Sequence, residues 1–380
     1  MAEPNVIYDA AIIGGGLGGL TLAIQLAKQS RKVILFEKEK YPFHKVCGEY
    51  ISNESWEYLI SCGIPLDKMD LPKISKVGIT ASNGFYLSHN LDLGGFGISR
   101  FTLDNLLAEE AKKLGVEIYE SCKVSQVHFS TNLFEIQSSI GITKSYYAFG
   151  SFGKKSNLDI QLNRSFSKIK KRGVSNYIAV KYHIKKTFDS ELIELHNFKD
   201  GYCGISQIDE DKLCLCYLTT EQNLKKHHHN IKEMEAEVLG KNPYLKRIFS
   251  ESTFLYEQAL TISQIRFEPK SQLENHLVLL GDAAGLIAPL CGNGMSMAMR
   301  ASSIIAKILP KDLENEKDRL IFEKEYQKIW NENFILRLSI GRIFQRLFGS
   351  DRITFWVLKL LKQFPTLLSK LIGLTHGKKF

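Results

Sequence analysis

No run of about 18 uncharged apolar residues occurs in the 380-residue chain, so the sequence predicts no membrane-spanning helix. Paired cysteines are missing too. The seven present (Cys47, Cys62, Cys122, Cys203, Cys214, Cys216 and Cys291) are scattered, odd in number and form no C-x-x-C pair, which argues against a zinc site or a disulfide framework. Cys214 and Cys216 alternate in "KLCLCYL" with no third ligand nearby, so they are expected as buried strand residues rather than metal ligands. The opening stretch "MAEPNVIYDAAIIGGG" has early acidic residues and a short apolar run that passes straight into glycine, so no signal peptide is expected. Repeats and low-complexity segments are absent. A cytoplasmic protein, with membrane association left open by its tail, fits these absences.

Hydrophobic residues make up 44% of the chain and charged residues 24%, ordinary values for a globular protein. Its length allows two or three domains with a sizeable core. The net charge of +9 is uneven: residues 331–380 hold nine Lys/Arg against two Asp/Glu. Residues 334–374 intersperse these charges among Leu, Ile and Phe, with breaks at Gly349-Ser350 and Pro365, and read as amphipathic helices. Such helices either pack on the domains with basic faces in water, or lie on an anionic membrane and admit a lipid-like substrate. Nucleic-acid binding is not expected, since no nucleic-acid fold accompanies the charge.

"IYDAAII" (7–13) reads as a buried strand, the glycines after it as a turn, Leu17 to about Gln29 as a helix and "KVILF" (32–36) as a second strand. Gly14-x-Gly16-x-x-Gly19 sits at that turn, with Glu37 eighteen residues beyond Gly19. Gly14 permits the tight turn, Gly16 lets the backbone approach a pyrophosphate, and Gly19 allows close helix–strand packing. Glu37 would hold the ribose hydroxyls. A second glycine-rich stretch, "LGDAAGLIAPLCGNGMSMAMR" (280–300), delivers Asp282 from a strand end and opens a helix near Gly294. The acid is placed for a sugar-alcohol hydroxyl, and the helix N-terminus for a ring that gains negative charge, which suits a flavin better than a nicotinamide.

These pieces, with "ISRFTLDNLL" (98–107), give the chain its resemblance to the FAD-dependent oxidoreductases of the p-hydroxybenzoate hydroxylase-like superfamily, which includes monooxygenases, flavin halogenases and geranylgeranyl reductases. The resemblance implies FAD as cofactor, with NAD(P)H as a transient electron donor. It places Arg100 beside the FAD, Asp282 on the ribitol, and Pro289, Gly292 and Gly294 along the isoalloxazine. Asp104 belongs to the same pattern as a support for the helix. The implied fold is α/β (α+β overall). A Rossmann-like FAD-binding domain at 1–72, 98–160 and 265–310 interleaves with a mostly antiparallel β substrate domain at 73–97 and 161–264, and C-terminal helices follow at 311–380.

Within the superfamily, no second G-x-G-x-x-G unit follows a strand, Phe152 precedes Gly153 where hydroxylases carry an aspartate, and the halogenase W-x-W-x-I-P motif is absent. "HKVCGE" (44–49) is similar to the lysine and Cys-Gly that geranylgeranyl reductases carry after the ribose acid, in a loop near flavin and substrate. By that similarity Lys45 and Gly48 are cofactor-binding, and Cys47 and Glu49 (with Tyr50 behind them) are candidate proton donors. The expected activity is hydride transfer from reduced flavin to a double bond of a hydrophobic molecule such as an isoprenoid, polyketide or lipid. The alternatives are a monooxygenase working through a C4a-hydroperoxide, and a flavin-binding protein without turnover. No metal ligand set and no oligomeric state can be read from the sequence.

Overall fold

The computed structural model describes residues 6–168, 176–348 and 350–380. In chain order its main elements begin with β1 (Ile7–Ile13), α1 (Leu17–Lys28), β2 (Val33–Phe36), β3 (Tyr50–Ser52), β4 (Lys73–Thr80), β5 (Tyr86–Gly97) and α2 (Arg100–Lys113). Strands β6 (Glu117–Tyr119), β7 (Val124–Ser130), β8 (Leu133–Ser138) and β9 (Gly141–Gly150) follow, then β10 (Tyr177–Lys185), β11 (Leu192–Phe198), β12 (Gly201–Gln207) and β13 (Leu213–Thr220). The chain continues through β14 (Thr253–Phe254), β15 (Leu260–Ile265), β16 (Leu273–Glu274) and β17 (Leu277–Leu279). It ends in α3 (Gly294–Ile308), α4 (Glu316–Phe348), α5 (Asp351–Gln363) and α6 (Pro365–Gly373).

Two sheets result. In the first, the order β16-β17-β9-β1-β2-β6 is parallel from β17 to β6, and the β7–β8 hairpin joins β9 antiparallel. β1 and β2 are almost wholly buried, as a parallel sheet covered on both faces requires. The second sheet runs β14-β10-β13-β12-β11-β4-β5-β3, antiparallel except where β11 lies parallel to β4, and β15 adds on β10. The Ser82-Asn83-Gly84 turn does join two antiparallel strands, β4 and β5. β3, however, pairs with Gly95–Gly97 of β5. The "CGEYIS" segment thus belongs to the second sheet, although the sequence reading begins that unit at residue 73.

α4 ties the sheets together. Near its start Arg319 is buried against the rings of Phe129, Phe134 and Tyr147, and donates to Tyr146 O at 2.8 Å. Further along, Tyr326 Oη donates to Leu279 O at 2.8 Å. At its end the Phe348 carbonyl accepts from Asn197 of β11. α5 and α6 then fold back, and their buried Leu358, Leu361 and Leu368 join Val77, Ile79 and Leu87 in one cluster. The apolar faces of the tail therefore pack on the second sheet.

Candidate active site

The turn after β1 is built by close contacts. Gly14 has φ +103°, and a Cβ there would lie 2.4 Å from Ser151 O; one on Gly19 would lie 2.1 Å from Gly14 O. Both positions admit only glycine, and α1 is thereby drawn tight against β1. The helix starts at Gly16 without a side-chain cap, leaving its first amides facing open space. A Cβ on Gly16 would point at Arg100 Nη2 (3.8 Å) and Lys45 Nζ (4.0 Å), so two cations stand over the helix N-terminus. Glu37, at the end of β2, accepts from Gly15 N at 2.8 Å and from Glu39 N at 3.0 Å.

Asp104 holds those cations. It is fully buried on α2 and binds Arg100 Nε at 2.7 Å, Arg100 Nη2 at 2.8 Å and Lys45 Nζ at 2.9 Å. Burial by itself would push its carboxyl up, but Arg100 and Lys45 outweigh it and hold the group below the usual carboxylate range. The role is larger than supporting a helix: Asp104 aims both cations at the turn.

On the far side of the first sheet, β17 delivers Gly281 (φ +60°) and Asp282. Burial pushes the Asp282 carboxyl up, against the pull of Lys270 and Lys154, and it accepts no hydrogen bond among the described residues. Burial also pushes the Lys154 and Lys270 ammonium groups down to about 8. Past Pro289 the chain turns through Gly292 (φ +63°), and α3 opens at Gly294 without a side-chain cap, while Asn293 Nδ2 donates to Thr375 O at 2.8 Å. Cys47 Sγ lies 3.5 Å from Met295 Sδ in the first turn of α3. Burial raises the Cys47 thiol, which stays protonated at neutral pH. A Cβ on Gly48 would meet nothing within 4 Å, so this residue borders open space.

Glu49 takes a left-handed backbone (φ +56°) that turns its carboxylate away from this space into the second sheet. There it accepts from Lys181 Nζ at 2.5 Å, His183 Nε2 at 2.6 Å and the Arg100 amide at 2.8 Å. Burial would raise its carboxyl, but the bonds from His183 and Lys181 hold it below the usual range. An ionised, triply held carboxylate has no proton to give at neutral pH, which removes the reason for naming Glu49 a proton donor. Cys214 also approaches Glu49 and His183, but the Lys181 ammonium already occupies the carboxylate and opposes a metal cation there.

All these groups except Gly15, Gly19, Asp104, Lys181, His183, Cys214 and Lys270 border one cavity of about 1380 Å³. Typical ligand pockets are about 300–1,000 Å³, so there is room for a dinucleotide and a second molecule. The polar end lies along Gly14, Gly16, Glu37, Lys45, Arg100 and Asp282. The apolar end is walled by Val77, Ile79, Leu195 and Leu218 of the second sheet and by Phe348, Leu361, Leu368 and Leu371 of the tail. Cys47, Met295, Lys154 and Cys216 border the cavity as well, and the charge of Lys154 is felt by Asp282, Cys216 and Cys47. Cys216 is thus a cavity residue, whereas Cys214 is buried and donates to Cys47 O at 3.2 Å. Tyr202 and Gly204 of "GYCGI" line the cavity too.

The polar end fits FAD. Helix N-termini without side-chain caps at both ends, two cations that Asp104 aims over Gly16, and an Asp282 carboxylate that accepts no hydrogen bond among the described residues are the groups that a pyrophosphate, a flavin ring and a ribityl chain would engage.

A family model for an NAD(P)-binding Rossmann-like domain matches residues 12–60. The chain is 28% identical over 369 residues to conditioned medium factor receptor 1 of Dictyostelium discoideum, covering 87% of this chain and 69% of that protein. It is 23% identical to digeranylgeranylglycerophospholipid reductase of Methanocaldococcus jannaschii, covering 87% and 84%. The structure of the flavin-dependent brominase Bmp2 superposes with a TM-score of 0.80 at 20% identity, over 97% of this chain and 93% of that one. By fold, the chain is similar to solved structures of flavin-dependent enzymes.

Sequence reasoning about this site missed Lys154, Lys181 and His183. A signal existed for the last two: in "NYIAVKYHIK" the polar residues 181 and 183 alternate onto one face of a strand whose every residue from Ile178 to Ile184 is buried. Lys154 directly follows the Phe152-Gly153 pair that departs from the hydroxylase pattern.

Proposed function

We propose that the chain is an FAD-dependent reductase of a hydrophobic small molecule, and that it adds hydride and a proton across a substrate double bond. The observation that carries this reading is the single cavity whose polar end fits the cofactor and whose other end is walled by apolar side chains. FAD, when bound, supplies the hydride from its reduced ring. The protein does the rest: Arg100, Lys45 and the start of α1 hold the pyrophosphate, Glu37 the ribose and Asp282 the ribitol. Pro289, Gly292 and Gly294 shape the edge on which the ring lies, and the apolar wall orients an isoprenoid-like chain and excludes water. NAD(P)H is the electron donor in this reading, reaching the flavin without a domain of its own. The relative whose name specifies an unsaturated lipid substrate, the archaeal reductase, supports the same class of substrate.

The carbon opposite the hydride needs a proton. Lys154 is best matched to give it: burial sets its ammonium near 8, and it stands within electrostatic reach of Cys47. Being a lowered ammonium, it is charged below that pH and neutral above it. Turnover is therefore expected to fall as pH rises through about 8, and Lys154→Met is expected to lose about 100-fold in rate together with that limb of the profile. An unchanged profile in the variant would remove Lys154 from the role. Cys47→Ala is expected to lower turnover at unchanged flavin content, and loss of flavin with normal turnover per bound flavin would count against the thiol facing the reaction.

The reading is tested by reducing the flavin anaerobically and adding an isoprenoid alkene. Reoxidation without oxygen, with saturated product, supports it. Reoxidation that requires oxygen and yields an oxygenated product gives the protein to the monooxygenases, for which the same dry, apolar wall would serve. A flavin that neither substrate nor oxygen turns over marks a binding protein.

A further inference from the structure

We infer that the outer face of α5 and α6 docks on an anionic lipid surface, from which an apolar substrate enters the cavity between Leu360 and Leu367. The inference rests on the apolar end of the cavity being the substrate site. Ile353, Trp356 and Leu360 recur at helical spacing on α5, and Phe364 at the junction and Leu367 on α6 extend them. All five are exposed, Trp356 at 63% of its surface. Leu358, Leu361 and Leu368 are buried against the second sheet, so these helices are apolar on two sides and only one of them is used by the fold.

Leu360 and Leu367 connect that free side to the site: they line the cavity, yet stand 52% and 43% exposed. Residues in both positions sit at a mouth, and here the mouth opens within the exposed apolar stripe. No helix of the described chain is long and apolar enough to cross a membrane, so any contact is with a surface.

Charge selects the occupant. Residues 352–380 hold six Lys/Arg and no Asp/Glu. The side chains of Lys359, Lys362 and Lys370 are exposed beside the stripe, and Lys359 Nζ lies 5.0 Å from the Trp356 ring. An apolar stripe flanked by lysines with long stems matches acyl chains below anionic headgroups. A second copy of this face would set lysines against lysines, which disfavours self-association through it.

The test uses the flavin-loaded protein and vesicles of phosphatidylcholine, with or without phosphatidylglycerol. Sedimentation is expected to carry the protein down with the anionic vesicles only, less so as salt rises, and with a blue shift of tryptophan emission that Trp356→Ser removes. Each lysine at such a surface contributes ~1 kcal/mol, so Lys359→Glu with Lys362→Glu is expected to weaken binding at least about tenfold at unchanged flavin absorbance. No binding to either vesicle, equal binding by the charge-reversed variant, or self-association abolished by Trp356→Ser would each overturn the inference. Oxygen-independent turnover of detergent-dispersed alkene would survive that failure. Vesicle binding would likewise survive a failure of the reductase reading, so the two outcomes are distinguishable.

Discussion

Asp104→Ala is expected to cost the folded protein about 3–5 kcal/mol and to leave it without flavin. The residue is 0% exposed and answers three donors, two from Arg100 and one from Lys45. Alanine removes the acid placed between the two cations. Arg100 and Lys45 would then face each other across a buried site, and each would turn toward water. With them goes the positive cradle over Gly16, so cofactor affinity falls together with stability. Asp104→Asn keeps part of the hydrogen bonding but loses the charge, and should fall between wild type and alanine. Denaturant midpoints and the flavin absorbance retained after gel filtration check both effects. If Asp104→Ala unfolds within ~1 kcal/mol of wild type and keeps its flavin, Arg100 is held by something else. The sign with pH is fixed by the direction of the shift. The folded carboxyl lies below its unfolded value, so this stabilisation is present above the ordinary carboxylate range and is lost as pH falls through the folded value.

The nucleotide end was legible because its determinants are local. The glycine turn, the helix from Leu17 and the strand ending at Phe36 depend on residues within one turn of each other, and the observed bounds differ by at most one residue from the sequence reading. The start of α3 at Gly294 followed from glycine and proline in the same way. What escaped were partnerships made by topology. Lys45 reaches Asp104 across 59 positions, and Lys181 reaches Glu49 across 132. No periodicity encodes such pairs, because they exist only once β3 has joined the second sheet beside β5. The tail was half legible. Its amphipathic pattern shows two kinds of face but not what each covers, and here the answer is divided: one side closes the cavity, and the other carries Trp356 and the lysines.

Glu49 is the other residue whose loss should be felt most. Glu49→Ala would leave the Lys181 ammonium, itself 0% exposed, with only the Lys45 carbonyl at 3.1 Å, and would strip His183 of its acceptor. A cost of about 3–5 kcal/mol is expected. Pairing the change with Lys181→Met should recover a large part of it, since the second substitution removes the uncompensated charge; the cycle of single and double variants measures the coupling. The design also separates two roles for this carboxylate. As a positioning group it braces the "HKVCGE" loop by binding the Arg100 amide and the β10 cation together. Glu49→Gln should then lose stability and flavin affinity while keeping the alkaline limb near pH 8 that is expected of Lys154. A Glu49→Gln protein as stable as wild type, with full flavin and no turnover, would instead return Glu49 to the role of proton donor. The three donors around it argue against that result, because each of them stabilises the form that has already lost its proton.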